Sequence, residues 1–400
     1  MIELTTGQAQ LMDKVVKWYK DYRNDNTAFY MHPQWFAYSG ASGCGKTTVA
    51  KEILRELGLN DPGSYIGCAY TGKAVLQMQR NQMNAKTIHS LIYQVVPTMK
   101  QDPKTGKRYM SFEFILKEHL DKDYQLIIVD EAPMVNDEIV KELLSFNIPI
   151  LFMGDMNQLP PVFGVSTIMQ NPDHILTQIM RQKEGDPIIQ LSQMILKGMP
   201  IFEGDYGTTK IIREIDMDRN LLDDYDQILC VTNKMRDNIN MYIRECILNR
   251  RGREPHLFDK IICRQNNWGQ EIDGYYLVNG LSGQITDISR DGLSKGYYTI
   301  DFHPEFFPDG KDFMGLHMDS KYVTAKPDIQ RTMPRISNEK FEYAYAITVH
   351  LSQGSEYERV LYFDSFFHDK ELTKKARYTA VTRARSELTY VIPPPNMFGK

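Results

Sequence analysis

Residues 40–47 read Gly-Ala-Ser-Gly-Cys-Gly-Lys-Thr, and this segment constrains the possible folds of the chain more than any other. It has the G-x-x-x-x-G-K-[ST] spacing of a phosphate-binding loop, and it lies between an apolar run and an amphipathic segment. Glycines here let backbone N–H groups converge on phosphate oxygens, while the following helix presents its positive end. Lys46 would reach the terminal phosphates, and the Thr47 hydroxyl would ligate Mg²⁺. A glycine-rich turn between a strand and a helix, without a ligand, is the alternative.

The rest of the first half has the pattern of βαβ units around a parallel sheet, with short apolar runs alternating with amphipathic segments. We expect strands at 35–39, 65–69, 126–129 and 148–153. The residues that follow these runs would lie at the carboxyl edge of the sheet, where open α/β folds bind ligands. They are Gly40, Thr71, Asp130 and Asp155.

The 400 residues exceed what one hydrophobic core usually organises, so two or more domains are expected. A second α/β set follows, with strands predicted at 226–231, 360–363 and 389–392 and a helix at 233–249. The fold class we predict is therefore α/β, with two lobes that each contain a parallel sheet. Two segments interrupt them: a basic β-hairpin at 97–123, which could equally be a solvated surface hairpin, and a small β barrel at about 255–338.

Two adjacent carboxylates follow the buried strand predicted at 126–129. Asp130 would hold Mg²⁺ through water, while Glu131 would orient and deprotonate a water that attacks a phosphoryl group. Acidic residues after a strand are also common as helix caps. The phosphate loop earlier in the chain favours the catalytic interpretation.

Thr5 and Gln8 have the spacing of a capping box for the helix that follows them. The other interpretation is that the Gln8 carboxamide pairs with the adenine edge, because an amide offers the donor and acceptor that adenine requires. That interpretation favours ATP over GTP.

Composition limits the partners and the compartment. Lys plus Arg number 47 against 51 Asp plus Glu, for a formal charge of −4, so any nucleic-acid contact must be a local groove. The five cysteines are far apart, which predicts neither a zinc knuckle nor a disulfide framework and fits a reducing cytosol. No secretory leader or membrane span is expected.

The motifs together resemble superfamily 1 helicases of the RecD and Dda type. In order, the matching blocks after the phosphate loop are 68–74 (motif Ia), 87–90 (the next DNA-contacting motif), 130–134 (motif II), 154–162 (motif III), 180–182 (motif IV), 348–356 (motif V) and 378–385 (motif VI). A short block such as Thr-Ile-His-Ser would be weak evidence alone. Their order carries the resemblance.

The resemblance implies roles for individual residues. Gln158 would sense the γ-phosphate, and Arg181 and Arg383 would reach it from the second lobe, although a structural salt bridge beside Arg385 is an alternative for Arg383. The implied ATP-binding set is Gln8, Gly40, Ala41, Ser42, Gly43, Cys44, Gly45, Lys46, Thr47, Thr48, Gln353, Gly354 and Glu356. The implied DNA-binding set is Thr71, Gly72, Lys73, Thr87, His89, Asn233, Thr348 and His350. A satisfied core histidine is the alternative for His89 and for His350.

The family fold implies a division into four parts. These are a RecA-like lobe 1A at 1–96 and 124–175, a 1B hairpin at 97–123, a RecA-like lobe 2A at 176–254 and 339–400, and an SH3-like 2B insert at 255–338. The hairpin would act as a pin that separates the strands at a fork. Its candidate residues are Lys104, Lys107, Arg108, Tyr109 and Phe112.

The resemblance also implies an activity and partners. The chain would be an ATP-dependent, Mg²⁺-dependent DNA helicase that moves 5′ to 3′ on single-stranded DNA, acting as a monomer in a phage or bacterial cytosol. Single-strand-binding, replication or recombination proteins are possible partners. A P-loop ATPase that remodels protein–DNA complexes, or the helicase module of a recombination nuclease, are the alternatives.

Two positions depart from the family pattern. Met180 stands where the opposite-polarity branch has an aromatic residue that stacks on adenine, so no residue is assigned to base stacking. Pro133 stands in motif II where Ser or Val is common, which restricts the preceding backbone but leaves both carboxylates intact.

Overall fold

The computed structural model describes residues 4–24, 33–101, 108–161, 164–178, 185–272, 275–307, 310–330, 333, 339–367 and 369–393. The chain divides into two compact units, Met1–Glu184 and Gly185–Lys400. The helices are α1 Thr6–Asn24, α2 Lys46–Glu56, α3 Gly72–Arg80, α4 Ile88–Ile92, α5 Asp137–Leu144, α6 Pro187–Leu196, α7 Asn220–Asp224, α8 Asn233–Tyr242, α9 Ser320–Thr324, α10 Pro327–Gln330 and α11 Lys370–Val381.

The first unit contains a six-stranded parallel sheet. Its members, in chain order, are β1 Trp35–Gly40, β2 Tyr65–Ala69, β3 Ala85–Thr87, β6 Leu126–Asp130, β7 Ile150–Gly154 and β8 His174–Leu176. The spatial order is β3-β2-β6-β7-β1-β8. Because the strands are parallel, their carboxyl ends share one edge, as the apolar runs predicted. Both faces of the sheet are buried around β1, β2, β6 and β7, which explains why these four strands are apolar almost throughout.

A two-stranded antiparallel hairpin follows α4 in the same unit. Its strands are β4 Tyr93–Gln101 and β5 Arg108–Leu116, with Tyr93 opposite Leu116 and Gln101 opposite Arg108. The hairpin forms a sheet of its own. It overlaps the segment 97–123 in which the sequence predicted a hairpin, but it begins earlier, at Tyr93, and its second strand ends at Leu116.

The second unit contains a mostly parallel six-stranded sheet, which agrees with the α/β class predicted for it. Its strands are β9 Gly204–Asp205, β10 Thr209–Ile212, β11 Gln227–Cys230, β19 Ala346–Thr348, β20 Tyr357–Phe363 and β21 Ala384–Val391, in the order β19-β11-β20-β21-β10-β9. Only β9 pairs antiparallel among these described strands. The helix predicted at 233–249 ends earlier, because α8 passes into a single π-helical segment, Ile243–Ile247.

An antiparallel sheet lies between the strands of that second sheet in sequence. It contains β12 Lys260–Cys263, β15 Ser282–Ser289, β16 Tyr297–Pro304, β17 Phe313–Asp319 and β18 Phe341–Tyr343, and a separate ribbon pairs β13 Asn267–Ile272 with β14 Tyr275–Leu277. β18 lies beyond 338, the predicted end of the insert. Among the residues that the structure describes, no helix is long and apolar enough to cross a membrane.

Helix α8 fixes the start of motif V. The Asn240 carboxamide donates to the backbone oxygen of Ala346 at 2.9 Å and accepts from its backbone N–H at 2.8 Å. Asn240 is buried, and both bonds hold the strand β19 that ends at Thr348. The amide therefore positions the backbone from which the motif V side chains project.

Candidate nucleotide and nucleic-acid site

The phosphate loop connects β1 to α2 at the carboxyl edge of the first sheet. Gly43 and Gly45 both have φ near +80°, a conformation that glycine adopts without steric cost. A Cβ atom at Gly40 would overlap the sulfur of the buried Cys44. The glycines are therefore required by the backbone of the loop, and the loop leads directly into the N-terminus of α2.

Lys46 is held by its own loop. Its Nζ donates to the backbone oxygens of Gly40 at 2.8 Å and Ala41 at 3.2 Å. The Tyr38 hydroxyl donates to the Lys46 backbone oxygen at 3.1 Å from the buried strand β1. The ammonium therefore lies over the loop, where the terminal phosphates of a bound nucleotide would replace the carbonyls as its acceptors.

Acidic side chains from two neighbouring strands act on Lys46. Burial lowers the pKa of Lys46, but the nearby Cys44, Asp155, Glu131 and Asp130 outweigh it, and the pKa is raised above its ordinary value. The amine therefore stays protonated at neutral pH. The carboxyl edge thus brings together the phosphate loop, motif II and motif III.

Asp130 and Glu131 have different surroundings although they are adjacent. Burial raises the pKa of Asp130, while Lys46 and the Glu131 backbone N–H, which donates to its Oδ1 at 2.8 Å, lower it. Glu131 has φ +50° and ψ +42°, a left-handed conformation that is strained for a residue with a side chain. The strained backbone turns the chain sharply after β6, into the 3₁₀ turn Ala132–Met134.

Motif III is tied to the strand that precedes the phosphate loop. The buried Ser39 hydroxyl accepts a hydrogen bond from the Met156 backbone N–H at 3.0 Å. Gln158 is 2% exposed, and its backbone N–H donates to the backbone oxygen of Asp155 at 3.0 Å. The Oε1 of its side chain has no hydrogen-bond partner among the described residues. An unsatisfied buried amide oxygen is costly, so this group is poised to accept a donor from a ligand or from a water.

The proline in motif II packs against the glycine of motif III. A Cβ atom at Gly154 would overlap Cδ of Pro133, and it would lie 3.1 Å from the Ala132 backbone nitrogen. Pro133 is buried. The departure at Pro133 is therefore accommodated by close packing against a residue that lacks a side chain.

Gln8 makes both of the contacts that the capping-box interpretation predicts. Its Oε1 accepts from the Thr5 backbone N–H at 3.0 Å, and the Thr5 hydroxyl accepts from the Gln8 backbone N–H at 3.3 Å. Its Nε2 also donates to the Cys44 backbone oxygen at 3.0 Å, inside the phosphate loop. A carboxamide has two donors and two acceptor lone pairs, so one of each remains for a ligand.

Several residues of the predicted DNA-binding set cap helices in the first unit. The Thr71 hydroxyl accepts from the Ala74 N–H at 3.3 Å, and the buried Thr87 hydroxyl accepts from the Ser90 N–H at 3.2 Å. Gly72 is buried and Lys73 is partly exposed, both at the start of α3. His89 lies in α4, and its ring contacts three aromatic rings.

The motif VI arginine is buried in the second unit. Arg383 is 2% exposed and donates to the backbone oxygens of Thr379 at 3.1 Å and Ser355 at 3.0 Å, and to the Thr382 hydroxyl at 3.3 Å. Arg385 is the arginine that pairs with carboxylates, at 3.2 Å from Glu358. The guanidinium of Arg383 therefore joins motif VI to the backbone of motif V.

The other predicted residues of the second unit lie in motif V and at the start of α8. Thr348 is buried and its hydroxyl accepts from the Leu351 N–H at 3.4 Å. Burial lowers the pKa of His350, whose ring stacks edge-on against Phe367 at 6.2 Å. The remaining members are the buried Gln353, Gly354 with φ +73°, the partly exposed Glu356, and Asn233, the first residue of α8.

Some predicted residues cannot be placed. Arg181, Lys104 and Lys107 lie outside the described residues. Arg108, Tyr109 and Phe112 lie in β5, where the backbone pairing is described. The ring neighbours of His89 are Tyr70, Tyr93 and Phe114, and the sequence analysis did not identify them. Tyr70 lies within motif Ia, whereas Tyr93 and Phe114 lie well beyond that motif in sequence.

Fold and site together define a P-loop nucleotide-binding protein with two sheets of the RecA-like kind. A family model described as an AAA domain matches residues 25–164, and one described as a UvrD-like helicase C-terminal domain matches residues 343–391. The first match covers the phosphate loop and motifs Ia to III, the second covers motifs V and VI, and motif IV lies outside both.

The chain is also similar to individual proteins and to solved structures. The chain is 27% identical over 383 residues to the ATP-dependent RecD2 DNA helicase of Deinococcus radiodurans. The aligned region covers 87% of this chain and 45% of that protein. The chain is similar in fold to Pif1 helicase from Bacteroides in complex with ADP-AlF3 and single-stranded DNA (TM-score 0.55, 17% identity, 98% and 95% coverage). It is also similar to Pif1 helicase from Candida albicans (TM-score 0.54, 16% identity, 98% and 94% coverage).

The matches to a UvrD-like helicase C-terminal domain and to a protein named as a RecD2 DNA helicase confirm the resemblance to RecD-type helicases that the motifs predicted. The chain spans less than half the length of the curated relatives it matches, among them an uncharacterized protein of Methanocaldococcus jannaschii at 26% identity, covering 88% of this chain and 36% of that protein.

Proposed function

We propose that this protein is an ATP-dependent DNA helicase that moves 5′ to 3′ on single-stranded DNA. The observation that carries the proposal is the convergence of Lys46, Asp130 and Glu131 at one sheet edge, in a chain whose later motifs follow the helicase order. The similarity to a protein named as an ATP-dependent DNA helicase supports the same activity. Phosphoryl transfer needs positioned charge more than covalent chemistry, and this edge supplies it.

Lys46 would bind the β- and γ-phosphates once it leaves the carbonyls of Gly40 and Ala41. Thr47 and Asp130 present a hydroxyl and a partly exposed carboxylate, and such hard oxygen ligands fit Mg²⁺. Mg²⁺ would neutralise charge between the phosphates. Glu131 would orient the attacking water and accept its proton, and the unsatisfied Oε1 of Gln158 would accept a hydrogen bond from that water.

Gln8 would read the adenine while still holding the phosphate loop. The spare donor of its amide matches N7 of adenine, and the spare acceptor matches the N6 amino group. Guanine presents acceptors at both N7 and O6, so the same amide would leave one pair of acceptors facing each other. We therefore infer a preference for ATP over GTP.

The second unit would complete hydrolysis through Arg383 and Arg181. A planar, permanently charged guanidinium suits the charge that develops on the transferring phosphoryl group. Gln353, Gly354 and Glu356 would contact the ribose and phosphates. Arg383 would first have to leave the carbonyls of Ser355 and Thr379.

Single-stranded DNA would bind through short polar side chains and backbone at helix starts. The set we propose is Thr71, Gly72, Lys73, Thr87, Asn233, Thr348 and His350, whose types satisfy phosphate oxygens. The hairpin of β4 and β5 would be the 1B pin, with Lys104, Lys107, Arg108, Tyr109 and Phe112 as its working residues. The antiparallel sheet would be the SH3-like 2B insert.

The energy of strand opening is compatible with this arrangement. Opening one base-pair step costs about 1.4 kcal/mol. Stacking one released base on an aromatic side chain is worth roughly 1–3 kcal/mol. Capture of the separated strand can therefore offset melting, and ATP would chiefly impose direction through ordered conformational steps.

The test is ATP hydrolysis with and without single-stranded DNA, alongside unwinding of duplexes with a 5′ or a 3′ tail. We expect hydrolysis stimulated by DNA, and unwinding of the 5′-tailed substrate only. Glu131→Gln should abolish both, while the exposed Glu56→Gln on α2 serves as the control. Preferential unwinding from a 3′ tail would overturn the polarity, and hydrolysis indifferent to DNA would overturn the helicase proposal.

A further inference from the structure

Four aromatic rings from three segments meet at the base of the hairpin. The His89 ring centroid lies 5.4 Å from that of Tyr70, 5.5 Å from Tyr93 and 6.0 Å from Phe114, and Tyr93 and Phe114 lie 6.0 Å apart. Tyr70 immediately precedes the motif Ia residue Thr71, and the other two rings belong to β4 and β5. His89 is therefore the central ring between motif Ia and both strands of the hairpin.

The helix that carries His89 is anchored in the core of the first unit. Ile88, Leu91 and Ile92 are fully buried beneath the sheet. β4 begins at Tyr93, directly after the last residue of α4, without a connecting loop. The Lys117 backbone N–H donates to the Ile92 oxygen at 2.8 Å and closes the base of the hairpin. The position of the first residue of the hairpin is therefore fixed by α4.

A second contact holds the base of the hairpin. The Tyr93 hydroxyl donates a hydrogen bond to the Glu142 carboxylate on α5, and burial together with that bond raises the pKa of Tyr93 above its ordinary value. Further out, Val95 is 44% exposed and Met99 is 65% exposed. A two-stranded hairpin is marginally stable by itself, so its direction depends on the contacts at its base.

We propose that His89 is a positioning residue, whose ring fixes the hairpin of β4 and β5 relative to the motif Ia segment. The inference rests on the proposed strand-separating role of the hairpin. Its physical basis is ring packing: edge-to-face and tilted contacts at these centroid separations are favourable for aromatic pairs. A phosphate contact would instead depend on a polar nitrogen of the imidazole, so the two roles require different properties of the side chain.

Two substitutions of His89 distinguish a role of the aromatic ring from a role of its polar nitrogen atoms. His89→Phe keeps an aromatic ring and loses both ring nitrogens, whereas His89→Gln keeps a donor and an acceptor and loses the ring. We expect His89→Phe to unwind a 5′-tailed duplex within about threefold of the wild-type rate. His89→Gln and Phe114→Ala should unwind about tenfold more slowly. Phe114→Ala should leave DNA-stimulated ATP hydrolysis within about twofold, and the exposed Phe202→Ala should leave every rate unchanged.

Hydrogen exchange of the free protein gives a readout that does not depend on activity. The amides of β4 and β5 should exchange faster in His89→Gln and Phe114→Ala than in the wild type, but not in His89→Phe, while those of β6 and β7 stay unchanged. The inference is overturned if His89→Gln unwinds normally and His89→Phe does not, or if exchange in the hairpin is the same in all variants. Altered exchange in a protein that unwinds nothing would overturn the helicase proposal and leave the anchoring role standing.

Discussion

The two cations that we assign to the terminal phosphate differ in how the structure holds them. Lys46 is bound by two carbonyls of its own loop, is partly exposed and lies among acidic side chains at the open carboxyl edge of a sheet. Arg383 is 2% exposed and bound by two carbonyls and a hydroxyl inside the second unit. To bind a nucleotide, Lys46 would exchange two backbone carbonyls at a partly exposed site, whereas Arg383 would have to exchange buried hydrogen bonds.

That difference assigns separate tasks to the two residues. A cation held at an open edge can contribute to nucleotide binding as soon as the nucleotide arrives. A buried arginine can contribute only after a conformational change, so it would affect the rate of hydrolysis more than the affinity. The predictions below test each half of this comparison.

Removing the partly exposed cation should affect both nucleotide binding and hydrolysis. Lys46→Ala should lower ATP hydrolysis by about 1,000-fold, because it removes a charged donor from the phosphates. It should also weaken nucleotide binding, which titration with a fluorescent ATP analogue would measure. Lys51→Ala, on the same helix, is the matched control and should do neither. ATP hydrolysis at the wild-type rate in Lys46→Ala would contradict the proposal that this loop binds the phosphates of ATP.

The close packing of motif II against motif III should contribute to the free energy of unfolding. Gly154→Ala forces a methyl group into Pro133 and should lower the free energy of unfolding by about 1–3 kcal/mol in urea titrations. Adding Pro133→Ala to that variant should restore part of the loss, since it removes the ring carbon that the methyl overlaps. Strictly additive losses in the double variant would show that the two residues do not share this contact.

Nucleotide selectivity should change least. Gln8→Ala removes the amide that would distinguish adenine from guanine, so the ratio of kcat/KM for ATP to that for GTP should fall by about tenfold. The variant also loses the bond to the Cys44 backbone, so KM for both nucleotides should rise together. If KM rises but the ratio of kcat/KM for ATP to that for GTP is unchanged, Gln8 supports the phosphate loop and does not distinguish the two bases.

Local sequence patterns predicted the first unit well. The phosphate loop and the motif II carboxylates each lie within a few residues of a strand end, so spacing alone placed Lys46, Asp130 and Glu131 at one edge of the sheet. The apolar runs also predicted β1 and β2 almost to the residue. The strands β3 and β8 are only three residues long, too short to give a clear apolar run, and they were not identified.

Features that depend on distant packing were not predictable. The overlap of Pro133 with a side chain at position 154, and the ring contacts of His89 with Phe114, join residues that are 21 and 25 positions apart. The same holds for the burial of Arg383, since the Ser355 carbonyl is 28 positions away in sequence. A motif identifies the type of side chain needed, while its hydrogen-bond partners follow from the tertiary fold.

The most direct test of the account is the separation of affinity from rate in Arg383→Ala, measured as ATP affinity and DNA-stimulated hydrolysis on one preparation. We predict hydrolysis about 1,000-fold slower, the size of effect known for an arginine that stabilises the transferring phosphoryl group, with ATP affinity within about threefold of the wild type. Arg213→Ala, at an exposed arginine of the same unit that pairs with Glu203, should leave both unchanged. Hydrolysis at the wild-type rate in Arg383→Ala would contradict the account, because Lys46 would then work without the second cation.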